Sequence, residues 1–204
     1  MAIEFKESKT RENLMKAFAG ESQARNRYTI AAETCKKQKM QAISQVFLFT
    51  ADQERAHAER YYDLLKSLSG NTIEICGGFP VDHHDSVIEL LRSAEHNEME
   101  EYEDVYQAFG DEAKAEGFLE AASAFYQIAE VEKVHGRRFG KLKEMLESGT
   151  YFERSESGMW MCLNCGHIQQ GMKVPEVCPV CRHDKGYFIP VEMAPYLEMS
   201  FVQG

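Results

Sequence analysis

The chain has 204 residues and a formal net charge of −10 at pH 7. This acidic balance argues against nucleic acid or an anionic membrane surface as a partner, because both are negatively charged. Apolar residues make up 44% of the chain, so it can bury a substantial core. The length suits one medium domain followed by a small one.

The N-terminus, MAIEFKESKTREN, lacks the basic and then apolar pattern of a signal peptide. No apolar run approaches the roughly 18 to 20 residues of a membrane span. Four of the six cysteines form two C-x-x-C pairs, which indicates metal binding in a reducing compartment rather than a disulfide framework. We therefore expect a cytoplasmic protein without a membrane segment.

The first part of the chain has the periodicity of four helices. The first helix is predicted over residues 10–36 with Thr10 as its N-cap, and the second over residues 40–69. The stretch 70–85 contains glycine and proline and has no helical period, so it predicts a long crossover between two helical hairpins. The third helix is predicted to end at Gly117, and the fourth follows it.

A Glu-x-x-His unit occurs in both the second and the fourth helix, and its members are Glu54, His57, Glu132 and His135. Residues i and i+3 share a helix face, so the two side chains of each unit can approach one object. The first and third helices each carry a glutamate on the inward stripe, Glu21 and Glu95. Two such units with two further glutamates are typical of carboxylate-bridged di-iron or di-manganese bundles.

Charged side chains occupy stripe positions where apolar residues are expected: Glu21, Glu54, His57, Glu95, Glu98, Glu132 and His135. Burying so many charges without partners would cost on the order of several kcal/mol per group, enough to unfold an ordinary domain. Bound cations would offset this cost. The alternative is that the stripes are slightly rotated and these residues face solvent, which would have to hold for all four helices at once.

The composition changes after residue 150. We predict a four-helix domain over residues 1–149, a polar linker over 150–158 and a small metal domain over 159–204. The small domain contains two C-x-x-C pairs formed by Cys162, Cys165, Cys178 and Cys181. Four thiolates at this spacing predict a tetrahedral site for iron or zinc, and a zinc ribbon would have nearly the same spacing.

Taken together, these motifs resemble the rubrerythrin family over essentially the whole chain. The first part resembles its ferritin-like four-helix bundle. The segments WMCLNCG and PEVCPVCRHDK resemble its shortened rubredoxin domain. The resemblance implies an all-α four-helix bundle plus a small C-terminal rubredoxin-like β/loop metal domain. It also implies two iron ions in the bundle and one iron ion in the four-cysteine site.

The resemblance also implies a role for each ligand. Glu54 and Glu132 resemble the carboxylates that bridge the two irons. Glu21 and Glu95 resemble terminal ligands of one iron each, and His135 would bind the iron that Glu95 binds.

Four residues acquire a catalytic role through the same resemblance. Glu98 and His57 resemble the pair that exchange at the first iron, with Glu98 bound in the oxidised state and His57 in the reduced state. Tyr28 and Tyr102 resemble the tyrosines that hydrogen-bond the ligand carboxylates. Both tyrosines also lie on the core stripes, where packing alone would account for them.

The activity implied by the resemblance is reduction of hydrogen peroxide to water at the di-iron site. Electrons would pass through the four-cysteine iron, from NADH by way of a separate reductase or from rubredoxin, since the chain has no dinucleotide fingerprint. The family also implies a homodimer. Two other roles stay open: a ferroxidase that handles iron, and a metal-binding protein with a structural zinc. Cys35 and Cys76 are interpreted as small, partly buried hydrophobic residues.

Overall fold

Our computed structural model describes residues 3–197, so the extreme ends of the two predicted domains lie outside it. The described chain forms a bundle of long helices followed by a small three-stranded domain. None of its helices combines the length and the apolar character that crossing a membrane requires.

The first hairpin pairs helix α1, Lys9–Lys37, with helix α2, Gln41–Leu64. The side chain of Ser8 accepts a hydrogen bond from the Arg11 backbone N–H and therefore caps α1, two residues before the predicted Thr10. The Thr10 hydroxyl instead donates to Glu116. The predicted bounds of the two helices are otherwise close to the observed ones.

The predicted crossover is confirmed, because residues 71–84 form neither helix nor strand. Asp82 holds this segment against the bundle. Its carboxylate accepts hydrogen bonds from Arg27 on α1 at 2.5 Å and from Asn97 on the third helix at 2.6 Å.

The third helix of the bundle is interrupted by one π-helical turn. Helix α3, Val87–Glu100, continues into a π-helical segment, Glu101–Val105, and then into helix α4, Tyr106–Glu116. It ends at Gly117 with φ of 91°, a left-handed conformation that favours glycine, so the predicted end is confirmed. A π turn contains more residues than an α turn, so it changes which side chains face the core.

Helix α5, Leu119–Glu147, packs against α3 and α4 and completes the bundle. Two apolar clusters fill the interior, one around Phe47 and Phe139 and the other around Tyr61 and Phe125. The predicted ligands on α1, α2 and α5 lie in the sequence between the residues of these two clusters. The bundle therefore has a polar layer between two apolar ends.

The small domain is an antiparallel sheet with strand order β2-β1-β3. Its strands are β1, Glu153–Cys162, β2, Ile168–Lys173, and β3, Phe188–Pro190. Residues 153–158, predicted as linker, belong to β1, and Glu153 pairs with Lys173. The prediction was wrong here because this part of the strand is polar and largely exposed, so it has no apolar stripe.

Three contacts help to attach the small domain to the bundle. Tyr151 is buried in the bundle core and donates a 3.1 Å hydrogen bond to the Phe188 carbonyl, while Trp160 donates to the Tyr151 carbonyl at 2.7 Å. Gly186 lies directly against the Lys39 carbonyl, where a Cβ atom would be only 1.8 Å from the oxygen. The small domain thus rests on the turn between α1 and α2.

Candidate metal centres

The polar layer of the bundle contains two overlapping groups of possible ligands. One group is Glu21, Glu54, His57 and Glu132, and the other is Glu54, Glu98, Glu132 and His135. Within each group, one ligand atom per residue lies within 4.8 Å of every other. All four helices of the bundle contribute, and Glu54 and Glu132 belong to both groups.

The two shared glutamates each face both histidines. Glu132 places Oε1 at 2.8 Å from His57 Nδ1 and Oε2 at 2.8 Å from His135 Nδ1. Glu54 does the same with Oε2 at 3.1 Å and Oε1 at 3.0 Å. Two ligand atoms at right angles on one metal, each about 2.1 Å away, would be about 3 Å apart. This geometry fits two metals bridged by two carboxylates.

One further glutamate lies beside each histidine. Glu21 Oε2 is 3.9 Å from His57 Nδ1, and Glu98 Oε2 is 3.5 Å from His135 Nδ1. The family resemblance implied that Glu98 binds the iron of His57. The structure places it in the His135 group, where Glu95 was expected.

Glu95 lies outside both groups, which corrects its predicted ligand role. Its side chain is 29% exposed and pairs with Lys143. The buried residues of α3 include Leu91, Ala94 and Glu98, so Glu95 is rotated by about 100° from Ala94, off the inward face. The predicted stripe was therefore slightly rotated on this helix, as the alternative interpretation had anticipated for the bundle.

Glu101 is the functional candidate that the sequence analysis missed. It opens the π-helical segment, and burial, followed by the charges of Glu98, Glu132 and Glu54, raises the pKa of its carboxyl well above the ordinary value. Its own charge helps to raise the pKa of Glu21, after burial and the charge of Glu132. The spacing Glu98-x-x-Glu101 could have indicated Glu101 as a ligand candidate. However, Glu95-x-x-Glu98 has the same spacing, so the sequence does not distinguish the two pairs.

Each terminal glutamate accepts a hydrogen bond from a buried tyrosine. Tyr28 donates to Glu98, and Tyr106 donates to Glu21 at 2.5 Å. Tyr102, which was predicted for the second role, instead accepts a 2.7 Å hydrogen bond from Lys133 and is only partly buried. The prediction failed because it assumed a regular helix, whereas the π-helical turn brings Tyr106 to the core face.

The buried polar atoms of this layer fit bound cations. Several of its atoms meet one another at about ion-pair distance but form no hydrogen bond of good geometry among the described residues: Glu21 Oε2, Glu54 Oε1, Glu98 Oε2, both Glu132 oxygens and both His135 ring nitrogens. Burial and then neighbouring carboxylates raise the pKa values of Glu21 and Glu98 well above the usual range. Buried acceptors that repel one another are expensive unless positive charge offsets them, and divalent metals supply it.

The four cysteines of the small domain also converge. Cys162 Sγ lies 3.7 Å from Cys181 Sγ, and Cys165 Sγ lies 3.8 Å from Cys178 Sγ. Tetrahedral thiolates bound at about 2.3 Å would be about 3.8 Å apart, so the spacing fits one metal. The His183 backbone N–H lowers the pKa of the Cys181 thiol to about 6, which favours the thiolate that binds metal.

Family models match both parts of the chain. The model described as "Rubrerythrin" matches residues 12–143, and the model described as "Rubrerythrin, rubredoxin-like domain" matches residues 160–189. This chain belongs to the rubrerythrin family. A rubrerythrin of Porphyromonas gingivalis is 45% identical over 187 residues, which cover 92% of each chain. A rubrerythrin of Nitratidesulfovibrio vulgaris is 40% identical and covers 90% of this chain and 94% of its own length.

Solved structures support the same fold. A structure of nigerythrin in a mixed-valence state has a TM-score of 0.60 at 28% identity, covering 90% of this chain and 89% of that one. A bacterioferritin of Desulfovibrio desulfuricans has a TM-score of 0.62 over 70% of this chain, and its 23% identity supports the fold alone.

The rubrerythrin family fixes the class of cofactor. The chain carries a di-iron site in a ferritin-like bundle and a rubredoxin-like four-cysteine iron site. Family membership implies an oxidoreductase. The choice between iron and zinc that the cysteine spacing left open is thereby decided in favour of iron.

Proposed function

We propose that this protein is a peroxidase that reduces hydrogen peroxide to water, H₂O₂ + 2 e⁻ + 2 H⁺ → 2 H₂O. The observation that carries the proposal is the pair of ligand groups bridged by Glu54 and Glu132. Two irons held there would supply one electron each to the peroxide. Side chains of this chain would hold the irons and position their ligand carboxylates.

The proposed ligand set follows the two groups. Glu21 and His57 would hold one iron, and Glu98 and His135 the other. Glu101 is the residue that we propose to exchange with His57, a role that the sequence analysis gave to Glu98. Glu101 lines the same cavity as Tyr106, whose hydroxyl donates to Glu21, and this placement beside the Glu21 group supports the assignment.

Tyr28 and Tyr106 would keep the terminal carboxylates in place. Burial, followed by the charges of nearby glutamates, raises the pKa of both phenols well above the ordinary value. Both hydroxyls therefore stay protonated at neutral pH and donate to Glu98 and Glu21. A fixed hydrogen-bond donor orients a ligand carboxylate and tunes its basicity.

The four-cysteine iron would return electrons to the di-iron site one at a time. We propose that they come from NADH through a separate reductase or from rubredoxin, in the reducing cytoplasm where thiolates stay available as ligands. Within one chain the small domain contacts α2 at Gln41 and shares a pocket with Phe49, five helical residues before Glu54. We also propose a homodimer, as the family resemblance implies.

The test is metal analysis of anaerobically purified protein, followed by stopped-flow reoxidation of the reduced protein. We expect two irons in the bundle and one in the four-cysteine site, with faster reoxidation by peroxide than by air. Air outpacing peroxide would favour a ferroxidase. Zinc in the four-cysteine site would contradict the electron-transfer role.

A further inference from the structure

A cavity of about 310 Å³ lies beside the di-iron layer. Its walls come from α1, the π-helical segment, α4 and residues 76–80 of the crossover. We call it the side cavity. None of the residues of the two ligand groups lines it, although Glu101 and Tyr106 do.

The side cavity reaches the di-iron layer through two side chains, Glu101 and Tyr106. Tyr106 donates its hydroxyl hydrogen to Glu21, and Glu101 follows the proposed ligand Glu98 by three residues in the same continuous helix. Glu101 is partly exposed, whereas Glu21 and Glu132 are fully buried. Among these glutamates, Glu101 is therefore the one that a molecule in the side cavity can contact directly.

The lining of the side cavity is divided by chemistry. Ala17, Phe79, Val105 and Phe109 supply apolar walls, while Glu101 and Tyr106 supply polar ones together with Lys16, Gln23, Asn97 and Glu100. Gly20 also lines it, and a Cβ atom added there would have no neighbour within 4 Å. A water molecule occupies about 30 Å³ in the liquid, and hydrogen peroxide is not much larger, so the side cavity is far larger than hydrogen peroxide requires.

We propose that the side cavity binds alkyl hydroperoxides and admits them to the di-iron site as further substrates. The alkyl group would lie against Val105 and Phe109, with the O–O bond toward Glu101. The inference rests on the proposed function, because the same irons supply the electrons. The reaction is ROOH + 2 e⁻ + 2 H⁺ → ROH + H₂O: the O–O bond breaks, the di-iron site would supply the two electrons, and the two protons would come from solvent.

The test compares hydrogen peroxide with tert-butyl hydroperoxide as oxidants of the reduced, iron-loaded protein. Gly20→Leu fills the side cavity without a clash at its Cβ atom and replaces a poor helix former. We expect it to slow reoxidation by tert-butyl hydroperoxide at least about tenfold more than reoxidation by hydrogen peroxide. Ala115→Leu, at an exposed position of α4, is the matched control and should leave both rates unchanged.

A second readout does not depend on catalysis. Xenon soaked into crystals of the protein should bind in the side cavity, next to Gly20, and this site should be lost in Gly20→Leu. If Gly20→Leu fails to fold, Cys76→Phe on the exposed crossover narrows the same cavity from its other side.

The results separate the two proposals. Fast reoxidation by hydrogen peroxide without reaction of tert-butyl hydroperoxide, or an equal effect of Gly20→Leu on both oxidants, would overturn the substrate inference alone. A wild-type protein that hydrogen peroxide does not reoxidise would contradict the peroxidase proposal itself.

Discussion

The Tyr106 hydroxyl donates a hydrogen bond to Glu21, although the two residues belong to different hairpins of the bundle. Tyr28 of the first hairpin donates in turn to Glu98 of the second hairpin. Tyr28 follows Glu21 by seven residues, whereas Tyr106 follows Glu98 by eight. The additional residue falls in the stretch that contains the π-helical turn, so the two hairpins have matching contacts despite unequal spacing.

The first prediction concerns these tyrosines. Tyr106→Phe removes a hydrogen bond to a buried carboxylate, so we expect about 1.5–3 kcal/mol less stability and about tenfold slower reoxidation by peroxide. Tyr102→Phe removes the same atom from a side chain that contacts Lys133 instead. It should leave reoxidation unchanged. Stopped-flow rates and urea denaturation of both variants check this, and equal effects on reoxidation would contradict the assignment.

Glu101 and Glu95 form a second matched pair. We expect Glu101→Ala to retain most of the iron, since both four-ligand groups remain, but to slow peroxide turnover about tenfold or more. Glu95→Ala removes a partly buried ion pair with Lys143 outside both ligand groups, so it should lower stability by on the order of 1 kcal/mol and leave turnover normal. Iron content and steady-state rates distinguish the two variants. Normal turnover of Glu101→Ala would exclude it as an exchanging ligand.

The four-cysteine site should be needed for electron supply only. Cys178 is fully buried within it. We expect Cys178→Ser to abolish steady-state turnover with a protein donor but to preserve single-turnover reoxidation of chemically reduced di-iron. Both rates are measured on the same sample. If the single turnover also disappears, the two sites do not divide the work in this way.

Removing the metals should make stability depend on pH. Burial lowers the pKa of His57, but hydrogen bonds to Glu132 and Glu54 outweigh burial and raise it from 6.5 to about 9. The folded metal-free protein then holds more protons than the unfolded chain, so its stability falls as pH rises through this window, by up to ~3 kcal/mol. The raised pKa values of Glu21 and Glu98 also make the stability of the folded protein fall as pH rises.

Urea denaturation of the metal-free protein at pH 6.5 and pH 9 checks this sign. The iron-loaded protein is the control, because metal binding requires deprotonated ligands and strengthens as pH rises. Metal-free protein that becomes more stable between these pH values would contradict the protonated state that the buried cluster implies.

The contact between the domains gives a last prediction. A Cβ atom at position 186 would overlap the Lys39 carbonyl, so Gly186→Ala should destabilise the docked small domain by about 1–3 kcal/mol. Gly78→Ala, where a Cβ meets nothing within 4 Å, is the control. Limited proteolysis near residue 150 reports undocking. Equal resistance of both variants would mean that the contact contributes little.

The sequence by itself determined the two-part architecture and most of the ligand candidates. Helical periodicity locates α1, α2 and α5, and each Glu-x-x-His unit places its two side chains on one face because a helix repeats every 3.6 residues. The paired C-x-x-C motifs are equally local. Such features depend on short-range geometry, which the residue order alone specifies.

Only the tertiary structure decided the third helix and the strand beside it. Three glutamates, Glu95, Glu98 and Glu101, recur at one spacing, and packing against α1 and α5 selects which of them face the metals. The π-helical turn breaks the period on which the prediction of Tyr102 relied. Strand β1 begins in a polar stretch whose pairing with β2 is a non-local contact, so no pattern within the stretch itself could reveal it.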